Sequence, residues 1–265
     1  MTTTTIERHS DRDALCAAVA ERLLEVLSGA VQDRGVAHAV LTGGGAGIGT
    51  LQEVARLIDA GEAETPDWSR VHFWWGDERL LAGGEPERND EQADAALLRT
   101  LVSDHGLPAE NVHRMPDTDL AVSPVQGAEA YSADLAAASD EDESDSQRAA
   151  LRIPRFDVLL LGVGPDGHVA SLFPGSETLA VTEVCCVGES ESPKPPPGRI
   201  TLTFDAIGTA ERVWMVVAGS DKADAVARAH ADGADVEDVP AVGAAGREET
   251  VWHVDEAAAE RLPDS

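Results

Sequence analysis

Cysteines are few and scattered in this sequence, which excludes two kinds of stabilising site. The 265 residues include three cysteines, Cys16, Cys185 and Cys186, without any C-x-x-C spacing. The odd number gives no disulfide framework, and the eight histidines show no metal-site spacing either. We therefore expect no structural disulfide and no metal. The adjacent pair Cys185 and Cys186 is predicted to lie in a buried strand.

Long apolar runs are also missing. No segment approaches the roughly 20 apolar residues that a membrane-spanning helix needs. The first ten residues lack the charged and apolar regions of a signal peptide, so we expect a cytoplasmic protein without a membrane partner. Hydrophobic residues nevertheless make up 43% of the chain, and a chain of this length can bury a large core.

Positive charge is scarce. The chain has 20 lysines and arginines against 49 acidic residues, a net charge of -29, and its lysines are Lys194 and Lys222. Such a field repels nucleic acid, so a nucleic-acid partner is not expected. The acidic excess is interpreted as a solvated surface. A site for a phosphorylated ligand must therefore concentrate cations locally.

Apolar runs alternate with helical patterns along the chain. Strands are predicted at 36–41, 71–75, 156–163, 183–187, 199–204, 212–218 and 250–254. Helices are predicted from residue 10 to about 29 or 35 and at 50–58, 89–102, 128–138, 222–230 and 255–262. Continuous apolar strands such as 158–161 are typical of a parallel sheet buried on both faces. The pattern predicts an α/β fold with a doubly wound, mainly parallel sheet between helices, Rossmann-like in three layers.

The acidic stretch DEDESDS at 140–146 is predicted to form a mobile surface loop, around residues 139–148. A domain boundary there is the alternative interpretation. Because strand patterns continue on both sides, a single domain is expected.

In such a sheet, ligands bind where strands end. After the 36–41 strand, Gly43, Gly44 and Gly45 expose backbone N–H groups before a helix, which suits an anion. The spacing resembles a P-loop, but Thr50 stands where the lysine should be, which excludes that NTPase motif. A purely structural tight turn remains open for these glycines.

Asp77, Glu78 and Arg79 follow the 71–75 strand. Arg79 could hold phosphate oxygens and Asp77 sugar hydroxyls. Taken alone, these residues are better explained as a solvated charge cluster.

The segment from Gly162 to His168 follows the most apolar strand and matches G-x-G-x-x-G. A dinucleotide site is rejected because Pro174 and the glycine after it cut off the long helix that this motif needs. What remains is His168 beside Asp166 on a strand-end loop. A histidine there can exchange a proton at neutral pH, although a structural role is equally open.

Prolines stiffen the segment 192–199, which carries Lys194 and Arg199. A rigid cationic arm suits a phosphate, and an incidental proline-rich connector is the alternative.

Together these segments resemble the 6-phosphogluconolactonases. The matching strings are LTGGG, FWWGDER, FDVLLLGVGPDGHVASLFPG and SPKPPPGRITLTF, and the resemblance runs from about Leu41 to Ala259. It implies hydrolysis of 6-phospho-D-glucono-1,5-lactone in the oxidative pentose phosphate pathway, without metal or cofactor. The expected partner is therefore this small phosphorylated lactone, bound by a monomer or small homo-oligomer.

The resemblance also implies roles for individual residues. Proton transfer falls to His168. Triad chemistry, rather than the resemblance, adds Asp166, which would orient the ring if its carboxylate faces the imidazole. Substrate contacts fall to the glycine loop and the charged residues: Gly43, Gly44, Gly45, Asp77, Arg79, Lys194 and Arg199. Many relatives have Ser-Thr-Pro where this chain has 45–47, so no hydroxyl contact is expected there. The alternatives are a glucosamine-6-phosphate deaminase and a sugar-phosphate binder without catalysis.

Overall fold

The computed structural model describes residues 4–140 and 144–263. The first part contains β1 (Thr4–His9), α1 (Arg12–Arg34), β2 (Ala37–Leu41), α2 (Gly44–Ala60), β3 (Val71–Trp75), β4 (Asp77–Arg79), α3 (Asn89–Ala93), a π-helical segment (Asp94–Leu98), α4 (Arg99–Asp104) and α5 (Pro124–Ala137). The second part contains α6 (Ser146–Leu151), β5 (Val158–Leu161), β6 (Cys186–Glu189), β7 (Arg199–Leu202), α7 (Phe204–Ile207), β8 (Arg212–Val217), α8 (Ala223–Ala229) and β9 (Glu249–Asp255). Short 3₁₀ turns lie at Trp68–Arg70, Ala109–Asn111, Glu177–Ala180, Ser220–Lys222 and Pro240–Gly243.

A six-stranded sheet in the order β1-β9-β8-β5-β2-β3 forms the centre of the molecule. Its pairings are parallel, so the carboxyl ends of the strands meet at one edge. β2 and β5 are buried along their whole length, as a sheet covered on both faces requires. The predicted α/β fold with a mainly parallel sheet is confirmed.

A second sheet extends beside this edge. β4, β7 and β6 form three antiparallel strands, and α5 packs on β6 and β7. In the register, Asp77 pairs with Thr201 and Arg79 with Arg199. The small sheet therefore places the charged segment after β3 next to the strand that follows the proline-rich loop.

α1, the helix before β2, ends at Arg34, beyond the earlier of its two predicted ends at about residue 29. Its N-cap is Asp11, whose carboxylate accepts the Ala14 N–H at 2.8 Å. Gly35 ends the helix with a φ of 78°, a left-handed conformation that favours glycine.

Several other boundaries differ from the prediction. Most of the predicted glycine-rich loop forms the first turn of α2, which starts at Gly44. The predicted helix at 255–262 is a series of turns, and β1 and the three-residue β4 were not predicted. The predicted acidic loop falls partly on residues 141–143, outside the described residues; beyond them Asp145 caps α6.

The three cysteines are buried and unpaired, and Cys186 begins β6. Within 4–140 and 144–263, no helix has the length and apolar character to cross a membrane.

Candidate active site

A cavity of about 460 Å³ lies at the carboxyl ends of β2, β5 and β8. Apart from Asp166, the site residues predicted from the sequence all line it: Gly43, Gly44, Gly45, Asp77, Arg79, His168, Lys194 and Arg199. The fold thus brings four separate segments around one space at the strand ends, where ligands bind in open α/β sheets.

The loop after β5 holds the His168 ring in one position. Gly167 has a φ of 95°, which favours glycine, and the Gly164 N–H donates to the His168 carbonyl at 2.9 Å. A Cβ on Gly164 would overlap the imidazole. On the other side the ring packs on Phe173, with centroids 4.6 Å apart. Gly167 therefore allows the turn, and Gly164 leaves the space that the imidazole of His168 occupies.

His168 and Asp166 form a close pair. Nδ1 of His168 lies 2.5 Å from Oδ1 of Asp166. Burial opposes the charge on Asp166, but the contacts with His168 and Lys194 outweigh it and hold the pKa of this carboxyl below its usual range. An ionised carboxylate only accepts hydrogen bonds, so the ring proton lies on Nδ1. In the neutral ring Nε2 then has a free lone pair, and no described residue hydrogen-bonds it.

Lys194 joins this pair. Its Nζ lies 3.2 Å from Oδ2 of Asp166 and 3.1 Å from Nδ1 of His168. Arg199 holds the loop that carries it, because Nε donates to the Pro196 carbonyl at 2.8 Å and Nη2 to the carbonyls of Lys194 and Pro195 at 3.2 Å. The proline-rich segment is therefore a folded arm that brings an ammonium group to the histidine and its aspartate.

The charged segment of β4 is anchored in the interior. Asp77 accepts the Ser171 hydroxyl at 2.7 Å, and Asn89 Nδ2 lies 3.4 Å from its other oxygen. Glu78 accepts the backbone N–H groups of Asn89 and Asp90 at 2.8 and 2.9 Å. Both carboxylates are buried, so the interpretation as a solvated cluster does not apply to them.

The glycine segment forms an open helix N-terminus. Gly43 is the N-cap of α2 and has no side chain to cap the first N–H groups, which leaves them for an anion. Gly43 itself packs on Asn89, where a Cβ would overlap the carboxamide oxygen. The backbone at Gly43 thus packs closely against the first residue of α3, and it also lines the cavity.

Three charged or amide side chains in the lining were missed by the sequence argument: Arg12, Asn89 and Lys222. Lys222 follows β8 and could have been found by the strand-end rule already used for the other loops. Arg12 and Asn89 are the first residues of α1 and α3. Nothing in the sequence around them distinguishes them from other polar residues at helix starts. Oδ1 of Asn89 is buried without a hydrogen-bond partner among the described residues.

Known proteins are similar to this chain in sequence and in fold. A family model described as glucosamine-6-phosphate isomerases/6-phosphogluconolactonase matches residues 10–252. A 6-phosphogluconolactonase of Streptomyces coelicolor is 45% identical over 259 residues, 97% of this chain and 94% of the relative. Its counterpart in Mycobacterium tuberculosis is 44% identical over 260 residues, 97% of this chain and 98% of the relative.

Solved structures of 6-phosphogluconolactonases have a similar fold. The 6-phosphogluconolactonase of Trypanosoma brucei superposes with a TM-score of 0.77 at 27% identity, covering 99% of this chain and 100% of the other. That of Thermotoga maritima gives 0.76 at 26% identity, covering 96% and 100%. A monomeric glucosamine-6-phosphate deaminase gives 0.70 at 18% identity, covering 97% and 99%, a likeness of fold alone.

Proposed function

The chain belongs to the glucosamine-6-phosphate isomerase and 6-phosphogluconolactonase family, and we propose that it works as a 6-phosphogluconolactonase. This enzyme hydrolyses 6-phospho-D-glucono-1,5-lactone to 6-phosphogluconate in the oxidative pentose phosphate pathway. The observation that carries the chemistry is the 2.5 Å contact between Nδ1 of His168 and Asp166, which leaves Nε2 as a base at the cavity.

In this mechanism Nε2 of His168 takes a proton from water as the water oxygen attacks the lactone carbonyl carbon. The carbonyl oxygen becomes an oxyanion, and the tetrahedral intermediate collapses by breaking the bond to the ring oxygen. The imidazolium returns its proton to that leaving oxygen. Asp166 keeps the ring oriented and balances the imidazolium charge, as the third member of a triad does. The steps need no metal or cofactor.

The phosphate is assigned to the cationic side of the cavity. Arg12, Arg79 and Lys222 line it together with the uncapped first turn of α2. Positive groups and a helix N-terminus both favour an anion. This local concentration explains how a chain with a net charge of -29 can hold a phosphorylated substrate.

A deaminase is disfavoured by the segment after His168. Ser171 donates its hydroxyl to Asp77, and Phe173 packs on the imidazole. Neither position supplies a carboxylate to the cavity, whereas in glucosamine-6-phosphate deaminases, which have a similar Gly-His loop, the chain continues into a Phe-Asn-Glu-Pro sequence.

The test is a comparison of three activities on the purified chain: lactone hydrolysis, ammonia release from glucosamine 6-phosphate, and binding of 6-phosphogluconate without turnover. Spontaneous lactone opening is subtracted at each pH. Hydrolysis that depends on His168 supports the proposal. Ammonia release would support the deaminase, and binding with no turnover the non-catalytic binder.

The same proposal includes a cytoplasmic location, because a charged sugar phosphate does not cross a membrane. A monomer or small homo-oligomer without a nucleic-acid partner remains our prediction for its assembly.

A further inference from the structure

Three potential metal donors meet at the edge of the central sheet, outside the cavity. β1 is the edge strand and pairs in parallel with β9, so that Glu7 lies opposite His253. His9 is two residues after Glu7 and therefore on the same face. Within the described part of the chain, this is the one group of three such side chains whose donor atoms converge. It was invisible to sequence spacing because His253 lies 244 residues from His9.

The distances fit an ion between the three groups. Nε2 of His9 lies 3.2 Å from Nδ1 of His253, which lies 3.5 Å from Oε2 of Glu7. One donor of each residue lies within 4.8 Å of the others. Ligands at about 2.0–2.1 Å from a tetrahedral zinc ion are separated from one another by roughly 3.4 Å. The observed spacing is therefore close to that of a first coordination shell.

We propose that Glu7, His9 and His253 bind a divalent transition-metal ion of the Zn²⁺ class. Two imidazoles and one carboxylate are a common ligand set for such ions, with water in the remaining position. Glu7 and His9 are half-exposed, so the ion and its water can reach the site, whereas His253 is buried behind them.

A neighbouring arginine, Arg22, orients the Glu7 carboxylate. Nη1 of Arg22 donates to Oε1 of Glu7 at 2.9 Å, which leaves Oε2 toward His253. Outer partners of this kind orient metal-binding carboxylates.

A hydrogen bond between the two imidazoles is the competing explanation. One shared proton would link His9 and His253, but Oε2 of Glu7 would remain 3.5 Å away without a bond to either ring. A metal ion satisfies all three donors at once. It would also fasten β1 to β9, the single strand with which β1 pairs in the described sheet.

A second histidine pair provides a matched control. Nδ1 of His72 lies 3.0 Å from Nε2 of His113, and Asp134 contacts the opposite nitrogen of His113 at 3.1 Å. This group also has two imidazoles and one carboxylate, with an aspartate in place of the glutamate, but its donor atoms do not converge on one point. His72→Gln should therefore leave metal binding unchanged.

The experiment titrates Co²⁺ into chelator-treated protein and follows the visible absorption of the bound ion, with Zn²⁺ as competitor. We expect one ion per chain, and His9→Gln and Glu7→Gln should each weaken binding at least tenfold, since even an outer partner typically contributes about 10–100-fold. Zn²⁺ should raise the Tm of the wild type and of His72→Gln, but not that of His9→Gln.

Lactone hydrolysis checks the fold of each variant, because none of these residues touches the cavity. Equal Co²⁺ affinity in the wild type, Glu7→Gln and His9→Gln would overturn the proposal, as would a Zn²⁺-induced Tm increase that survives His9→Gln. Metal binding lost only with His168→Ala would place the ion in the cavity and equally refute the site at β1.

Discussion

Nδ1 of His168 donates its proton to Asp166 across 2.5 Å, and the two residues are separated by one glycine whose left-handed φ lets the chain fold back. We expect Asp166→Asn to lower kcat by roughly 10²–10⁴-fold, the range of general acid–base catalysis, because an amide can favour the wrong ring tautomer. KM should change little.

The measurement is kcat and KM for the phosphorylated lactone, with His168→Ala as the reference for complete loss of the base. A variant Asp166→Asn with wild-type kcat would show that the pair is structural. Circular dichroism on each variant separates loss of chemistry from loss of fold.

Lys194 should act on catalysis rather than on phosphate recognition alone. Its Nζ contacts both Asp166 and His168, although the sequence assigned it to the phosphate. Lys194→Ala is therefore expected to reduce kcat for 6-phosphogluconolactone and for unphosphorylated glucono-δ-lactone by similar factors. A rise in KM that is confined to the phosphorylated lactone would instead show that Lys194 binds the phosphate.

Gly43 is expected to be intolerant of a side chain. A Cβ there would lie 2.7 Å from Cγ of Asn89 and closer still to its oxygen, whereas a Cβ at Gly45 meets nothing within 4 Å. Gly43→Ala should lower the free energy of unfolding by about 1–3 kcal/mol, the usual cost of overpacking, and Gly45→Ala should change it little. Urea denaturation measures both. Asn89→Ala is destabilising by itself because it removes the hydrogen bond to the Asp77 carbonyl, but in that background Gly43→Ala should cost less than in the wild type. Equal costs for the two glycines would contradict this packing argument.

The sequence predicted the parts of the site that depend on local geometry. His168 and Asp166 are two residues apart on a strand-end loop, so their contact needs only the turn at Gly167 between them. The position of Lys194 depends instead on Arg199 folding the proline-rich arm, which is tertiary structure. Edge strand β1, TTIERH, is mostly exposed and lacks apolar alternation, so no periodic signal marks it.

Buried histidines should make the fold acid-sensitive. Burial, and then the neighbouring histidines, lower the pKa of His38 to about 3, and burial lowers that of His72 to about 4. Trp74 donates its indole N–H to His38 Nδ1 at 3.1 Å, which requires an unprotonated nitrogen. Below the ordinary histidine pKa of about 6.5 the unfolded chain binds protons that the folded chain excludes, so stability falls with pH between about 6.5 and 4.

The expected slope is at most roughly 1.4 kcal/mol per pH unit for each such histidine. The acidic surface loses repulsion over the same range, so the wild type is compared with His72→Gln, in which the slope should be smaller. Denaturant titrations between pH 7.5 and 5 give both slopes, and identical slopes would refute the assignment to His72.

Arg79 provides the sharpest test of phosphate recognition. Nη1 donates to the Glu87 carbonyl, while the buried Nε has no partner among the described residues. A phosphate oxygen would supply the missing acceptor, and charge-assisted bonds of this kind contribute about 1.5–3 kcal/mol each. A lysine keeps the charge but cannot place a donor at the position of Nε. Arg79→Lys should therefore lower kcat/KM for the phosphorylated lactone by roughly 10–150-fold per lost bond, with little effect on glucono-δ-lactone.

Arg114→Lys is the matched control for this substitution, because Arg114 forms a surface ion pair with Asp94 outside the cavity. It should leave kcat/KM for both lactones unchanged.

A salt series adds a second readout: ionic strength screens the long-range repulsion from a net charge of -29 more than it weakens a close contact. Moderate salt should therefore raise kcat/KM for the phosphorylated lactone in the wild type, provided that substrate association limits it. Equal losses on both lactones in Arg79→Lys would show that this guanidinium does not contact the phosphate, because only one of the two substrates carries that group.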